Sequence, residues 1–317
     1  MKIAPNTGIC MIEIDKSLSV GKRELLTYFR ERTAESLEEI RRTYGSREFK
    51  KQATAVNRAI IKTSQSLGKT LLQKATREKW NNNDILRCLL MVTHASNVVK
   101  IESRNDVWPY EYMAFSRRIG ELWEPFCKLC FDYPSRELTL FVPPLFSEVK
   151  QKFTDEIEDY IDILTITEEQ KKELKRYYSK VWSFVASGEV KLELDLHFEQ
   201  DGERFIVDFK SGFGSNEKGN TNRLLLVATI YKNLEENYRC CLFVRAAEDR
   251  NNNYFQRLKN SSIWEAYCGS ETYAKIKEYS GFDAEDWIQQ NIDWASDFRS
   301  DTMKFFADND LEQYLRW

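Results

Sequence analysis

The sequence predicts an α/β (α+β) chain, with a mixed β-sheet core flanked by helices and a mainly helical N-terminal half. Three observations predict it. Residues 192–210 alternate apolar and polar side chains about an Asp201-Gly202 pair, the signature of two strands joined by a tight turn. Residues 221–234 form an apolar helical run, and residues 239–245 (RCCLFVR) form a buried strand, giving the order strand, strand, helix, strand. Upstream, apolar residues recur every three to four positions over long stretches. The last two strands, joined through a helix, are expected to be parallel with a right-handed crossover.

Taken in order, residues 1–20 predict an irregular lead or a strand near residues 10–14. Leu25, Leu26, Phe29, Leu37 and Ile40 make an apolar stripe for a helix over 22–42. Tyr44-Gly45-Ser46 closes it, and Ser46 is a candidate N-cap for a helix over 47–67. Asn81-Asn82-Asn83-Asp84 is a turn and cap cluster that starts a helix over 85–98. After a break at 106–109 comes a long helix over 110–131, with a kink or restart expected at Pro125. Phe141-Val-Pro-Pro144 is a connector. Helices follow over 153–164 and 167–185, the second opened by the capping box Thr167-Glu-Glu-Gln170 and ended by Ser187-Gly188. The tail, 253–317, is helical, acidic and aromatic, with Trp264, Trp287, Trp294 and Trp317; it is read as packing material and a candidate subunit interface.

Composition narrows the function classes. With 42% hydrophobic and 31% charged residues, no low-complexity tract and no internal repeat, the 317 residues suit an ordinary globular body. No apolar run reaches the roughly 18 residues of a membrane helix, and no charged-then-apolar leader opens the chain, so a cytoplasmic protein is expected. Seven irregularly spaced cysteines suit reduced thiols. Cys127 and Cys130 have the spacing of half a zinc site, but there is no second pair and only His94 and His197 are available. Two thiols on a helix, at least one of them buried, is the expected reading.

Net charge is −3, yet residues 1–100 hold 19 Lys and Arg against 10 Asp and Glu. Between residues 50 and 79 the basic residues Lys50, Lys51, Arg58, Lys62, Lys69, Lys74, Arg77 and Lys79 meet one acid, Glu78. That run is either a solvated helix face or a surface for phosphates. Leu67-Gly68-Lys69-Thr70 resembles the end of a phosphate-binding loop, but the earlier glycine and a preceding strand are missing.

The hairpin carries the chemistry. Leu192, Leu194, Leu196 and Phe198 take one side of the first strand; Glu193, Asp195 and His197 take the other. On the second strand Phe205, Val207 and Phe209 oppose Arg204, Ile206, Asp208 and Lys210. Asp195, Asp208 and Lys210 therefore share a polar face. Two carboxylates and an amine crowded there call for a divalent metal.

Asp195, twelve residues, then Asp208-Phe209-Lys210 resembles the PD-(D/E)XK nuclease motif, over roughly residues 190–246. The family's proline is replaced by Leu194. Ile119-Gly120-Glu121-Leu122-Trp123-Glu124 resembles the Gly-x-x-x-Glu helix of several restriction enzymes and of the mismatch-repair nicking endonuclease. The resemblance implies a restriction-endonuclease-like fold and Mg²⁺ held by Asp195, Asp208, the main-chain oxygen of Phe209 and Glu124, with Glu121 as substitute. It implies Lys210 beside the scissile phosphate, orienting or deprotonating the water. The implied enzyme is a type II restriction endonuclease, leaving 5′-phosphate and 3′-hydroxyl ends. Such enzymes usually act as homodimers on palindromic double-stranded DNA and have a cognate DNA methyltransferase that does not bind them, in a bacterial or archaeal cytoplasm.

Beside that reading, Ser215, Asn216, Lys218, Asn220, Asn222 and Arg223 follow the catalytic strand in a Gly-rich loop and are expected to meet bases and phosphates. The other reading of that loop is turn-forming residues in solvent. His197 is read first as structural and second as a phosphate or water contact; Arg245 is a further candidate contact. The expected division is a basic helical region over 1–105 that meets DNA and a nuclease core over 106–317, unless the chain is one continuous domain. In that core, residues 191–210 form the hairpin, 221–234 the crossover helix and 239–245 the last strand. The alternatives are a nuclease of the same core acting on damaged or structured DNA in repair or phage defence, and a non-catalytic DNA-binding protein.

Overall fold

The computed structural model describes residues 12, 14–17, 21–45, 47–185, 190–214, 217–234 and 237–317. Cys10, Ser46, Ser187-Gly188, Ser215, Asn216 and most of the expected strand at 10–14 lie outside these. The chain runs α1 (Lys22–Tyr44), α2 (Phe49–Glu78), α3 (Asn82–Val107), α4 (Tyr112–Asp132), β1 (Thr139–Leu140), α5 (Phe146–Ile163), α6 (Glu168–Val185), β2 (Leu196–Gln200) and β3 (Glu203–Lys210). It continues α7 (Lys218–Lys232), β4 (Tyr238–Val244), α8 (Asn253–Lys259), β5 (Glu265–Cys268), α9 (Ser270–Ser280), α10 (Ala284–Asn291), α11 (Trp294–Asp297) and α12 (Ser300–Asp308). Helix dominates, with one five-stranded mixed sheet. Among the described residues no helix is long and apolar enough to cross a membrane.

Two compact units divide the chain: Met1–Leu138 with Val244–Ala247 and Cys268–Trp317, and Thr139–Phe243 with Glu248–Tyr267. The break thus falls after Leu138 rather than at 105–106, because α4 packs on α3 and α9.

The first unit is a helical body. α1, α2 and α3 pack together on Leu25, Phe29, Val56, Ile60, Leu71, Leu86 and Leu90, all nearly inaccessible. α2 extends to Glu78, well past the expected end at 67, with Leu71 and Ala75 continuing the buried stripe. Its basic residues, all exposed except the half-buried Lys74, line the solvated face, and Gly68-Lys69-Thr70 is mid-helix. α3 starts as expected at Asn81, whose side chain accepts from Asp84 N–H, but runs on to Val107, burying Glu102, Ser103, Arg104 and Asn105 on its far half. Glu102, 1% exposed, takes a two-pronged bond from Arg30 at 2.9 and 2.7 Å and a third from the Arg299 backbone N–H at 2.7 Å. α4 is unbroken across Pro125: buried Ile119, Leu122, Trp123, Phe126 and Cys130 hold both halves in one stripe. Cys127 and Cys130 are both buried on it. The tail tryptophans Trp287, Trp294 and Trp317 pack against Phe126, His94, Phe298 and one another.

The second unit holds the sheet, ordered β1-β2-β3-β4-β5. β1 pairs antiparallel with β2, and β2 with β3. The two-residue turn is Asp201 (φ 52°) and Gly202 (φ 78°), the two left-handed residues a type I′ turn requires. Arg204 N–H donates to Asn237 O at 3.0 Å, Arg239 meets Glu203 at 2.9 Å, and the Phe209 and Phe243 rings meet edge-on at 5.4 Å. Start lies beside start and end beside end, so β3 and β4 are parallel. β4 and β5 agree in direction, with Arg239 on Glu265 and Phe243 on Tyr267.

Several expectations change here. β2 and β3 are not half-solvated: Ile206, Val207, Asp208 and Phe209 are all buried. Helix α7 begins at Lys218 and buries one face only, Leu224, Val227, Ala228 and Tyr231, while Leu226 is exposed. The capping box of α6 is present, with Thr167 and Gln170 exchanging bonds at 3.0 and 3.2 Å.

In the first unit His94 is fully buried, and its Nε2 lies 2.7 Å from Asp297 Oδ2. Lys22 Nζ lies 2.6 Å from Asp297 Oδ1. An ionised Asp297 cannot donate, so Nε2 carries the proton and buried Nδ1 is left without a donor. Burial holds the His94 imidazole below its ordinary value of 6.5, outweighing the Asp297 bond. The unfolded chain therefore takes up this proton as pH falls below 6.5 while the folded chain does not, and stability drops with falling pH across that window. The unfolding midpoint of the wild type is expected to fall from pH 7 towards pH 5, and that part of the slope to be missing in His94→Gln.

Candidate active site

The type I′ turn and the apolar ladder fix the register of β2 on β3. The last ladder pair is Leu196 with Val207, so one step further Asp195 stands opposite Asp208. Asp195 sits just before the strand, where Leu194 N–H bonds His197 Nε2 at 3.4 Å. The Phe209 N–H donates to Asp195 Oδ2 at 2.7 Å, tying the acid to the β3 backbone. Asp195, Asp208, Lys210 and the Phe209 peptide thus come together at the C-terminal end of β3.

Asp208 is the buried member, 1% exposed. Lys210 Nζ is 2.5 Å from its Oδ2, a contact of charges without hydrogen-bond geometry, since Oδ2 has no hydrogen-bond partner. Lys210 Nζ also donates to the Phe209 carbonyl at 3.3 Å. Arg223 Nη2, from the second turn of α7, lies 3.5 Å from Asp208 Oδ1. Burial pushes the Asp208 carboxyl above its ordinary range; Lys210 and Arg223 pull it back, and Asp195 adds like-charge repulsion.

The donor set suits a hard divalent cation. Asp208 Oδ2 is buried with only the Lys210 ammonium against it, Asp195 Oδ1 takes no hydrogen bond among the described residues, and the Phe209 carbonyl is a third hard oxygen. The three oxygens lie together at the end of β3. Among the described residues no group of three or more Asp, Glu, His and Cys side chains is placed to hold a metal.

The remaining expected residues fall as follows. Glu124 is on α4, in the first unit, with Lys128 Nζ 3.7 Å from its Oε1. Glu121 on the same helix pairs with Arg117 at 2.8 Å and Arg118 at 3.1 Å. Lys218, Asn220, Asn222 and Arg223 lie on the opening turns of α7, not in a loop: Gly219 and Asn220 are tolerated where the first N–H groups need no helical partner. Lys218 and Asn222 are exposed, Asn220 and Arg223 half-exposed. His197 is buried against the Phe141 ring. Arg245 belongs to the first unit, where its guanidinium donates to the Arg316 carbonyl.

Two features were not visible in the sequence. Arg223 reaches Asp208 itself. The loop after Lys210 is pinned by residues about 38 positions away: Phe213 N–H donates to Asn251 Oδ1 at 2.8 Å, and Asn252 N–H to Phe213 O at 2.9 Å. The Phe213 side chain is fully buried, tilted on Phe255 at 5.9 Å. No pattern in the sequence joins positions that far apart.

No family model, curated protein or solved structure matches the chain.

Asn251→Ala leaves the Phe213 N–H without its acceptor and is expected to cost about 1–3 kcal/mol in chemical unfolding. A change within error would show that the loop is not held by this bond.

Proposed function

We propose that this chain is a PD-(D/E)XK nuclease with a restriction-endonuclease-like core, and within that class a type II restriction endonuclease. The observation that carries the reading is the register that sets Asp195 opposite a buried Asp208, with Lys210 on the same carboxylate. The antiparallel β2-β3 pair, helix α7 and parallel β4 support it. The substrate is double-stranded DNA, cut to 5′-phosphate and 3′-hydroxyl ends.

Asp195, Asp208 and the Phe209 carbonyl are the oxygens that would hold Mg²⁺. Bound there, the ion would supply Lewis-acid polarisation of the phosphoryl oxygen and a more acidic water. The protein's own part is positional and electrostatic. Asp195, held by the Phe209 N–H, keeps its free oxygen turned to the site. Lys210 Nζ, partly exposed beside Asp208, stabilises negative charge building on the phosphate and orients the attacking water. Arg223, with 40% of its side chain exposed, offers a guanidinium for a second phosphate oxygen. The opening turn of α7 carries Lys218, and the start of a helix is a setting that favours phosphate.

A homodimer reading a two-fold DNA site accompanies this proposal. Its support is the α5–α6 pair. Among their described side chains only Val149 and Ile161 are buried, while Tyr160, Ile163, Tyr177 and Val181 are 62, 77, 52 and 58% exposed. α5 carries Asp155, Glu156, Glu158, Asp159 and Asp162, and α6 carries Lys171, Lys172, Lys175, Arg176 and Lys180.

Plasmid DNA incubated with Mg²⁺ is expected to give discrete fragments, with cleavage reduced at least about 10³-fold in Asp208→Ala and Lys210→Ala. Full activity in either variant would sink the site. A smear, or a demand for ends or flaps, would favour a nuclease of repair or phage defence. Uncut DNA bound equally in Mg²⁺ and in EDTA would favour a non-catalytic binder. Sedimentation should give a dimer that Tyr177→Glu with Val181→Glu reduces to monomer; an unchanged dimer would remove α5–α6 from the interface.

A further inference from the structure

We infer that the junction of α3 and α4, in the first unit, is a binding site for a terminal phosphate group. The inference does not rest on the nuclease reading. Lys100 and Arg104 are one turn apart on α3, which sets their Cβ atoms roughly 5–6 Å apart on one face. Arg118, on α4, is the third cation, close enough to act on both. Neither Lys100 nor Arg104 has a carboxylate within ion-pair distance among the described residues. Lys100 has one partner, Asn97 Oδ1 at 3.1 Å, for three N–H donors. Arg118 is answered by Glu121 at 3.1 Å, an acid it shares with Arg117. Glu111 touches the cluster by charge alone, through Arg104.

Arg104 is 8% exposed, its guanidinium stacked over the Trp108 ring at 4.6 Å and the Tyr110 ring at 4.0 Å. The stacking fixes its plane, yet Nη1 is buried with no hydrogen-bond partner, and the Tyr110 hydroxyl, buried beside Arg118, makes no bond of regular geometry. The like charge of Arg118 on both Lys100 and Arg104, and an unsatisfied buried donor, are each unfavourable in an empty fold. A single phosphate would answer all of them. It brings two negative charges and several acceptors, matches the fork of a guanidinium, and accepts from an ammonium and a phenol. Burial holds the Lys100 amine down to about 8, as expected of a cation that lacks its counter-charge. Because Arg104 is so deeply buried, the group must protrude from its carrier, as a free phosphate or the 5′-phosphate of a strand end does.

Inorganic phosphate, titrated calorimetrically into the whole protein at constant ionic strength near pH 7, is the test. Saturable binding is expected in the wild type and in Lys210→Met, and an affinity at least tenfold weaker in Lys100→Met. Lys100→Met should also raise the unfolding midpoint without phosphate, since it removes an unanswered cation, so misfolding is distinguishable from loss of the site. Arg118→Gln should weaken binding to a smaller degree. No saturable heat in the wild type, equal affinity in Lys100→Met, or loss in Lys210→Met instead would overturn the proposal. Competition by a 5′-phosphorylated oligonucleotide and not by its 5′-hydroxyl twin would support the site and identify a strand end. Competition by neither would support it with free phosphate as ligand. Equal competition by both would mean contact with the backbone and would overturn it.

Discussion

Burying the Asp208 carboxylate removes an acid from water at the centre of a sheet, and its neighbours are arranged around that cost. The effective penalty for a buried ion is of the order of several kcal/mol. Lys210 at 2.5 Å and Arg223 at 3.5 Å offset part of it, while Asp195 across the hairpin adds to it. The balance is unfavourable to the charged form, so the carboxyl is held above its ordinary range. A fold selected for stability alone would place a valine there, as at Val207. Keeping an acid under these conditions is intelligible if a cation and a phosphate complete the charge balance during function.

The rest of the second unit holds that cluster in place. A one-residue slip of β2 on β3 would carry Asp208 to the other face. The left-handed Asp201 and Gly202 prevent it, as does the stacked Phe198–Phe205 pair across the strands, 4.7 Å apart. Parallel β4 buries the far side of β3 through Phe243, and the Phe213 anchor fixes the chain as it leaves Lys210. Arg223 is then presented by α7 at a distance set by the helix start. The candidate site is thus built on strands and a helix, with one short pinned loop, and this suits chemistry that tolerates little positional error.

What could be read from the sequence was local. The Asp-Gly turn, the alternation that pairs Asp195 with Asp208, the Asn81 cap and the Thr167–Gln170 box all depend on residues within a few positions of each other. What could not be read was long-range. β1 is two exposed residues that exist as a strand only beside β2, and β5 is four residues defined by β4. The far half of α3 lies past the helix end expected at 98, where Glu102, Arg104 and Asn105 are polar. They are buried there, and Glu102 meets Arg299 across 197 residues. The early start of α7 was hidden by Gly219 and Asn220, which signal a turn but are harmless in a first helical turn. The contact of Arg223 with Asp208 followed from that start. The expected half-solvated hairpin failed for a related reason: alternation shows which side chains share a face, and not whether helices cover that face.

The central claim is that Asp195 and Asp208 together hold a divalent cation beside Lys210. Mn²⁺ binding followed by electron paramagnetic resonance tests it without requiring a known DNA sequence. The account predicts a specific bound-Mn²⁺ population in the wild type that Mg²⁺ displaces, that persists in Lys210→Met, and that disappears in Asp208→Asn and in Asp195→Asn. Mn²⁺ bound equally by the wild type and Asp208→Asn, or a folded wild type that binds none, would contradict it.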